Sequence, residues 1–309
     1  MERLKTLILV TRPWSFIMTI IVSASAAAYS AYLGLGVDYV LTLAAVIGLV
    51  LLHASVNVIN DYFDTVRGVD RPGTGTTEYR PHPIVHNILT PNATLAYGLA
   101  LGFTALAIGA LISLAGRPYA ILIGLAGTLL GWGYTATPIA FKYRALGELA
   151  VVLAFGPLMF LGVFYVASGV IDWRAVAVSL PLGIMIAAVL LANNIRDIDS
   201  DREAGVKTIA VILGRERSLA LYKAMLIASY ILVAVMAVAG ILPLTTLLTL
   251  ITLPAALKLA REAEARGPPV DFDPQTAKLV TQFGGLLAVS IAAYLAVERL
   301  AAALAVRRE

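Results

Sequence analysis

Two stretches gather most of the residues that can do chemistry. The first is Asn57-Val58-Ile59-Asn60-Asp61-Tyr62-Phe63-Asp64-Thr65-Val66-Arg67-Gly68-Val69-Asp70, and the second is Asn193-Asn194-Ile195-Arg196-Asp197-Ile198-Asp199-Ser200-Asp201. Each follows a long apolar run; the run before the first is interrupted by little except His53. Carboxylates at the edge of a hydrocarbon-compatible helix are costly unless they face a partner, and the obvious partner is a cation. Residues four apart on a helix share a face. Asn57, Asp61 and Asp64 then form one stripe with Asn60 beside it, and Asn193, Asp197 and Asp201 form another. Asp199 points away if its helix continues and joins the others if it has unwound. Crowded carboxylates repel each other. Hard oxygen donors with amide neighbours suit Mg²⁺, which takes one or two carboxylates and completes its shell with water and substrate phosphate. The alternative reading, helix caps and solvated loop acids, suits isolated residues such as Asp38 and Asp172.

Cations accompany the acids. Arg12 lies in Thr11-Arg12-Pro13-Trp14, and Arg67, Arg71, Lys142, Arg144, Arg196 and Lys207 come from three further segments. Arginine forks and lysine point charges would complete a diphosphate site, although the bias of basic residues toward one membrane face also places cations in such loops. The run from Trp132 to Arg144 sets aromatic residues beside cations, so an electron-rich ring such as Tyr134 can face a developing allylic cation. Trp132 and Tyr143 are expected to be membrane-belt residues. His82 and His86 have the spacing of a zinc pair, but Pro81 and Pro83 flank His82 and no Glu lies between the pair. His53 either lines a cavity one turn before Asn57 or bonds within the bundle. Gly73-Thr74-Gly75 lacks the Lys and Ser/Thr of a phosphate loop.

What positions these groups is a membrane bundle. The 309 residues are 60% hydrophobic and 14% charged, against about 25% charged in soluble domains. Long uncharged runs make the chain all-α and polytopic, since closed barrels show short alternating segments. Cysteine is absent, which excludes disulfides, thiolate metal sites and Cys nucleophiles. No cleavable signal peptide is expected at the N-terminus. Nine spans of near the required length are expected at 13–34, 39–59, 93–115, 118–135, 148–170, 174–194, 219–240, 241–258 and 279–301. They form one transmembrane domain over 1–309, a bundle around a central cavity with a loop cap on the cytoplasmic side. Long loops at 60–92, 136–147, 195–218 and 259–278 carry most of the Lys and Arg. The positive-inside rule puts them and the N-terminus in the cytoplasm, and an odd span count puts the C-terminus outside. The net charge of +4 follows from this topology and does not call for nucleic acid. Asn60-x-x-x-Asp64 after span 2 and Asn193-x-x-x-Asp197 after span 6 form a faint internal repeat, two acidic walls facing one cavity.

At these residues the chain resembles the UbiA superfamily of intramembrane prenyltransferases. Asn60-Asp61-Tyr62-Phe63-Asp64 matches the start of the family's first motif and Asp197-x-x-x-Asp201 its second. The usual last Asp of the first motif is replaced by Gly68, and Asp70 follows two residues later. That spacing is similar to the branch that prenylates 1,4-dihydroxy-2-naphthoate for menaquinone, as are Lys142-Tyr143-Arg144-Ala145-Leu146-Gly147-Glu148, Phe155-Gly156-Pro157-Leu158-Met159 and the run Asn194 to Thr208. The resemblance implies two Mg²⁺ ions between the acidic walls and a polyprenyl diphosphate such as geranylgeranyl diphosphate. Asn60, Asp64, Asp197 and Asp201 would be the ligands, with Asp61, Asp70 and Asn193 next. Arg12, Lys142 and Lys207 would hold diphosphate oxygens, aided by Asn57, Arg67, Arg144 and Arg196. Loss of diphosphate would leave an allylic cation for an aromatic acceptor, shielded from water by the bundle. The prenyl tail would need an apolar path, which a lateral opening to membrane lipid would supply. Other acceptors on the same fold, geranylgeranylglyceryl phosphate, 4-hydroxybenzoate or a haem or chlorophyll precursor, are rivals. So are a cation-coupled transporter and a lipid-binding protein without turnover.

Overall fold

In a computed structural model the described residues are 2–73, 75–78 and 80–306. Thr74 of the glycine triplet and the last three residues, on which the placement of the C-terminus bears, lie outside them. Among the described residues the chain is helical, without strands. The helices are α1 (Glu2–Val10), α2 (Phe16–Tyr32), α3 (Tyr39–Val66), α4 (Gly75–Glu78), α5 (Pro91–Leu114), α6 (Ala120–Trp132), α7 (Gly147–Leu153), α8 (Met159–Ser168), α9 (Trp173–Arg196), α10 (Ile198–Glu203), α11 (Ile209–Leu213), α12 (Arg215–Val238), α13 (Leu253–Arg266) and α14 (Phe272–Val306). Among the described residues, eight helical stretches are long and apolar enough to cross a membrane. Three of these are composite: a 3₁₀ turn at Pro13–Ser15 leading into α2, α7 and α8 joined through a wide turn at Ala154–Leu158, and a tight 3₁₀ stretch at Leu244–Thr252 leading into α13.

The fourth expected span, 118–135, is shorter than expected and is not among the eight. α6 has 13 residues, about 20 Å at 1.5 Å per residue, against roughly 30 Å of hydrocarbon. Apolarity runs on past Trp132, but Gly131 and Gly133 weaken the helix there and the chain turns away. Leu122 and Leu129 of α6 face outward and are more than half exposed, as side chains in contact with acyl chains would be. The break between the seventh and eighth spans falls at Gly240, whose φ of 72° ends α12.

Isolated acids cap helices as expected. Asp38 accepts the Leu41 amide at the start of α3, and Asp172 accepts the Arg174 amide at the start of α9. A second device sets the central packing. Pro157 lies inside the α7–α8 stretch, and Gly156 leaves helical geometry there. Gly183 of α9 fits against that kink: a Cβ on it would lie 2.8 Å from the Val152 carbonyl. The close approach draws α9, the most buried span, into the middle of the bundle. The main core runs through α2, α8, α9, α12 and α14, with Val22, Phe164, Leu182, Met185, Tyr222 and Phe283 at its centre.

The long connections meet at one end. Arg144 and Lys207 pair through their backbones. Arg71 reaches Glu203 at 3.7 Å, and Arg196 reaches the Val270 carbonyl at 3.4 Å.

Candidate functional site

The ends of α3 and α9 open onto one cavity of about 470 Å³. Its polar end is lined by Arg12, Asn57, Asn60, Asp64, Lys142 and Asn193, among others. The rest is apolar, with Leu49, Leu52, Ile108, Phe155 and Met159 in its wall. One end therefore suits a charged group and the remainder a hydrocarbon chain.

On α3 the facing set is Asn57, Asn60 and Asp64, a three-then-four spacing. Asp61 is not on that face. Its carboxylate is fully buried and held by Arg12 and by both terminal nitrogens of Arg80, at 2.9 and 2.8 Å. The stripe expected through Asp61 is thus turned by roughly one residue, because two guanidinium groups claim that side of the helix. Asn57 donates to the Thr11 carbonyl at 2.9 Å and to the Ser15 hydroxyl at 3.1 Å. These bonds tie α3 to the turn in which Arg12 adopts a left-handed backbone. The Asn60 side-chain oxygen is buried with no hydrogen-bond partner.

Asp64 accepts from the Lys142 ammonium at 2.7 Å and from the Tyr143 hydroxyl. Burial alone would pull Lys142 down, but Asp64 and the nearby tyrosines hold it well above the ordinary lysine value. Tyr143 is accordingly no membrane-belt residue: it binds Asp64, and its ring carries the Arg67 guanidinium at 4.1 Å. Trp132 donates to the Ser55 hydroxyl at 2.9 Å. Tyr134 is in the cavity wall.

Asp70 does not extend toward α9. The chain after Gly68 (φ 73°) curls back, with the Asp70 amide donating to the Asp64 carbonyl at 3.2 Å. Asp70 is bound to His82 at 3.1 Å. The His82 Nδ1 accepts the amides of Ile84 and Val85, which leaves Nε2–H to donate to Asp70. Burial pushes the Asp70 carboxyl up, but the His82 bond and Lys142 outweigh it and leave the group below the usual carboxylate range. Asp70 thus braces the 67–90 loop. The His82–His86 pair is a local turn, with the His82 amide donating to His86. His53 lines the cavity and also bonds within the bundle, between Ser15 and Thr19.

At the second wall the helix breaks at Asp197, and α10 starts anew. Arg196 bonds Asn193 at 2.8 Å, Asp197 at 2.7 Å, and Asp273 at the start of α14. Asp273 also lines the cavity and was not singled out in the sequence. Asp199 points away: it is 74% exposed and pairs with Arg215 at 3.0 Å. Asp201 is buried, and burial, opposed by Lys142 and reinforced by Asp197 and Asp64, pushes its carboxyl up to about 7. All three charges therefore bear on it, so the two walls share one electrostatic site. Arg144 is exposed and donates to the Pro138 carbonyl at 2.8 Å; Lys207 is exposed beside it. Neither lines the cavity, nor does Arg67. Arg80, in contrast, does.

The donor set fits a hard divalent cation. An orphaned amide oxygen on Asn60 and an Asp201 carboxyl raised to about 7 by burial, with Asp197 and Asp64 adding to it, are both groups that a cation would satisfy.

Comparisons with known proteins identify the family. Over 296 residues the chain is 32% identical to a Drosophila melanogaster UbiA prenyltransferase domain-containing protein 1 homolog, covering 93% of this chain and 79% of that protein. It is 28% identical over 258 residues to the 1,4-dihydroxy-2-naphthoate octaprenyltransferase of Bacillus subtilis, covering 82% of each. A solved UbiA homolog from Archaeoglobus fulgidus, bound to DMAPP and Mg²⁺, has the same fold, with a TM-score of 0.65 at 17% identity over 92% of this chain and 99% of that one. Residues 16–266 match the UbiA prenyltransferase family, and the chain is a membrane-embedded member of that family of prenyl-transferring enzymes.

Proposed function

We propose that the protein transfers a polyprenyl group from an isoprenyl diphosphate to 1,4-dihydroxy-2-naphthoate, a step of menaquinone biosynthesis. The observation that carries the reading is the cavity itself: acidic, amide and basic side chains at one end, hydrocarbon side chains along the rest. An isoprenyl diphosphate has the same division. The acceptor follows the named activity of the Bacillus subtilis relative together with the Gly68–Asp70 spacing.

Asn60, Asp64, Asp197 and Asp201 would hold Mg²⁺, with Asn193 beside them; the ions, when bound, supply the positive charge that makes diphosphate a better leaving group. Asp61 and Asp70 are committed to Arg80 and His82 and take no part as ligands. Lys142 and Arg12 bind diphosphate oxygens. The C–O bond to the prenyl group breaks with its electron pair on the departing diphosphate. The electron-rich ring carbon of the acceptor forms the new C–C bond, and the ring then loses its proton. Tyr134 faces the allylic cation, and the apolar wall excludes the water that would capture it. The excess of Lys and Arg in these loops supports a cytoplasmic position for this end of the bundle and the N-terminus, in the cell membrane.

The test supplies purified protein with Mg²⁺, labelled geranylgeranyl diphosphate and a panel of acceptors. The naphthoate should be prenylated with release of diphosphate. No release with any acceptor overturns the reading; prenylation of geranylgeranylglyceryl phosphate or 4-hydroxybenzoate in place of an inert naphthoate overturns the acceptor assignment.

A further inference from the structure

Asp61, Asp70 and His82 come together in a buried cluster whose ligand-type atoms lie within 4.8 Å of one another. The arrangement resembles a metal centre, but Arg12 and Arg80 both bind Asp61, and a cation placed there would face two guanidinium groups. The cluster orders cations instead. Arg80 meets Asp61 end-on: Nη1 and Nη2 each donate to one carboxylate oxygen, at 2.9 and 2.8 Å. This fork fixes the plane of the guanidinium and leaves its Nε edge over. The Nε–H is buried without an acceptor in the protein, and Arg80, only 4% exposed, forms part of the cavity wall. The other loop arginines differ. Arg67 lies on Tyr143, Arg144 on the Pro138 carbonyl, and Arg71 beside the exposed Glu203.

We propose that Arg80 is a further diphosphate-binding residue, donating its Nε–H to a phosphate oxygen of the prenyl substrate, and that Asp61 is the positioning residue that aims Arg80 and Arg12. The inference rests on the isoprenyl diphosphate reading of the cavity. It gives Asp61 a role without metal. It also explains why a loop residue 19 positions away in sequence is locked onto the end of α3.

The competing role is a plain tether that holds the 67–90 loop. His82 supplies a second tether through Asp70 and so serves as the control. Inorganic diphosphate binding in the presence of Mg²⁺ is measured by calorimetry on purified wild type, Arg80→Gln, Arg80→Lys, Asp61→Asn and His82→Leu. KM and kcat for the prenyl diphosphate are measured alongside. Loss of one charge-assisted contact should weaken inorganic diphosphate binding by about tenfold in Arg80→Gln. KM should rise more than kcat falls. Arg80→Lys should recover only part, because an ammonium cannot hold Asp61 end-on and present a fixed second donor. Asp61→Asn should fall between wild type and Arg80→Gln, and His82→Leu should stay within about twofold of wild type. The proposal is overturned if Arg80→Gln melts like wild type and binds inorganic diphosphate equally well, or if it loses no more than His82→Leu. Absence of binding by wild type would sink the diphosphate reading as well; normal wild-type binding with an unaffected Arg80→Gln would sink this inference alone.

Discussion

The ends of α3 and α9 carry the same Asn-x-x-x-Asp signature and are built differently. At α3 the helix runs unbroken through Asn57, Asn60 and Asp64. Every neighbouring charge is pinned by another segment: Asp61 by Arg12 and Arg80, Asp64 by Lys142, Asp70 by His82. At α9 the helix breaks at Asp197, and the acids that follow grade from buried Asp201 to open Asp199. The first end is a wall pinned by three other segments; the second is a helix break bridged by Arg196 between Asp197 and Asp273. A duplicated motif therefore does not imply duplicated mechanics. The pinning comes from long-range ion pairs that the motif itself does not contain.

The strongest way to break this contrast is at Asp64. Asp64→Ala should lower kcat/KM by at least about 100-fold, read as diphosphate release, because it removes a cavity acid and leaves the Lys142 ammonium buried without its partner. Lys142→Met should cost about tenfold to 100-fold, mostly in KM for the prenyl diphosphate, as expected for a lost charge-assisted contact. A pH titration probes the second wall. The Asp201 carboxyl, held at about 7 when folded, keeps its proton below that pH. Metal must displace this proton, so half-saturation with Mg²⁺ should need about tenfold more ion at pH 6 than at pH 8, and Asp201→Asn should flatten the profile. For the metal-free protein the sign is opposite. A raised carboxylate favours the folded state while protonated, so thermal stability should decline as pH climbs from about 4 to 7. The smallest effect belongs to Asp199→Ser, which should stay within about twofold in turnover, since the side chain is open to solvent. A large loss there would mean that Asp199 reaches the cavity during turnover.

The apolar runs made the existence of the spans legible, but not their ends: α3 runs on to Val66 and the last helix begins at Phe272, because polar residues there stay helical once other segments bind them. Asp38 and Asp172 read correctly as caps because capping is local. Two things were not local. The face of α3 could not be fixed by counting four residues forward, because Asp61 is turned out of the cavity by arginines from other segments. Arg80 was one basic loop residue among many, and only its return to Asp61 sets it apart. Asp273 escaped notice similarly: one acid at the start of the last helix gains meaning only through Arg196. Tyr143 and Trp132 show the same limit, since aromatic character at a span end suits a belt equally well until Asp64 or Ser55 is seen to bind it.

The shortness of α6 bears on where the reaction takes place in the bilayer. With Ala120 near one surface, a 13-residue helix stops roughly 10 Å short of the other. The segment that follows, with Tyr134 and Lys142, then begins at acyl-chain depth, sheltered by its neighbours. The prenyl tail need not be lifted out of the leaflet for its head to meet the basic residues. If lipids thin around α6 to match its length, turnover should respond to the acyl length of the host membrane, faster in thin bilayers than in thick ones.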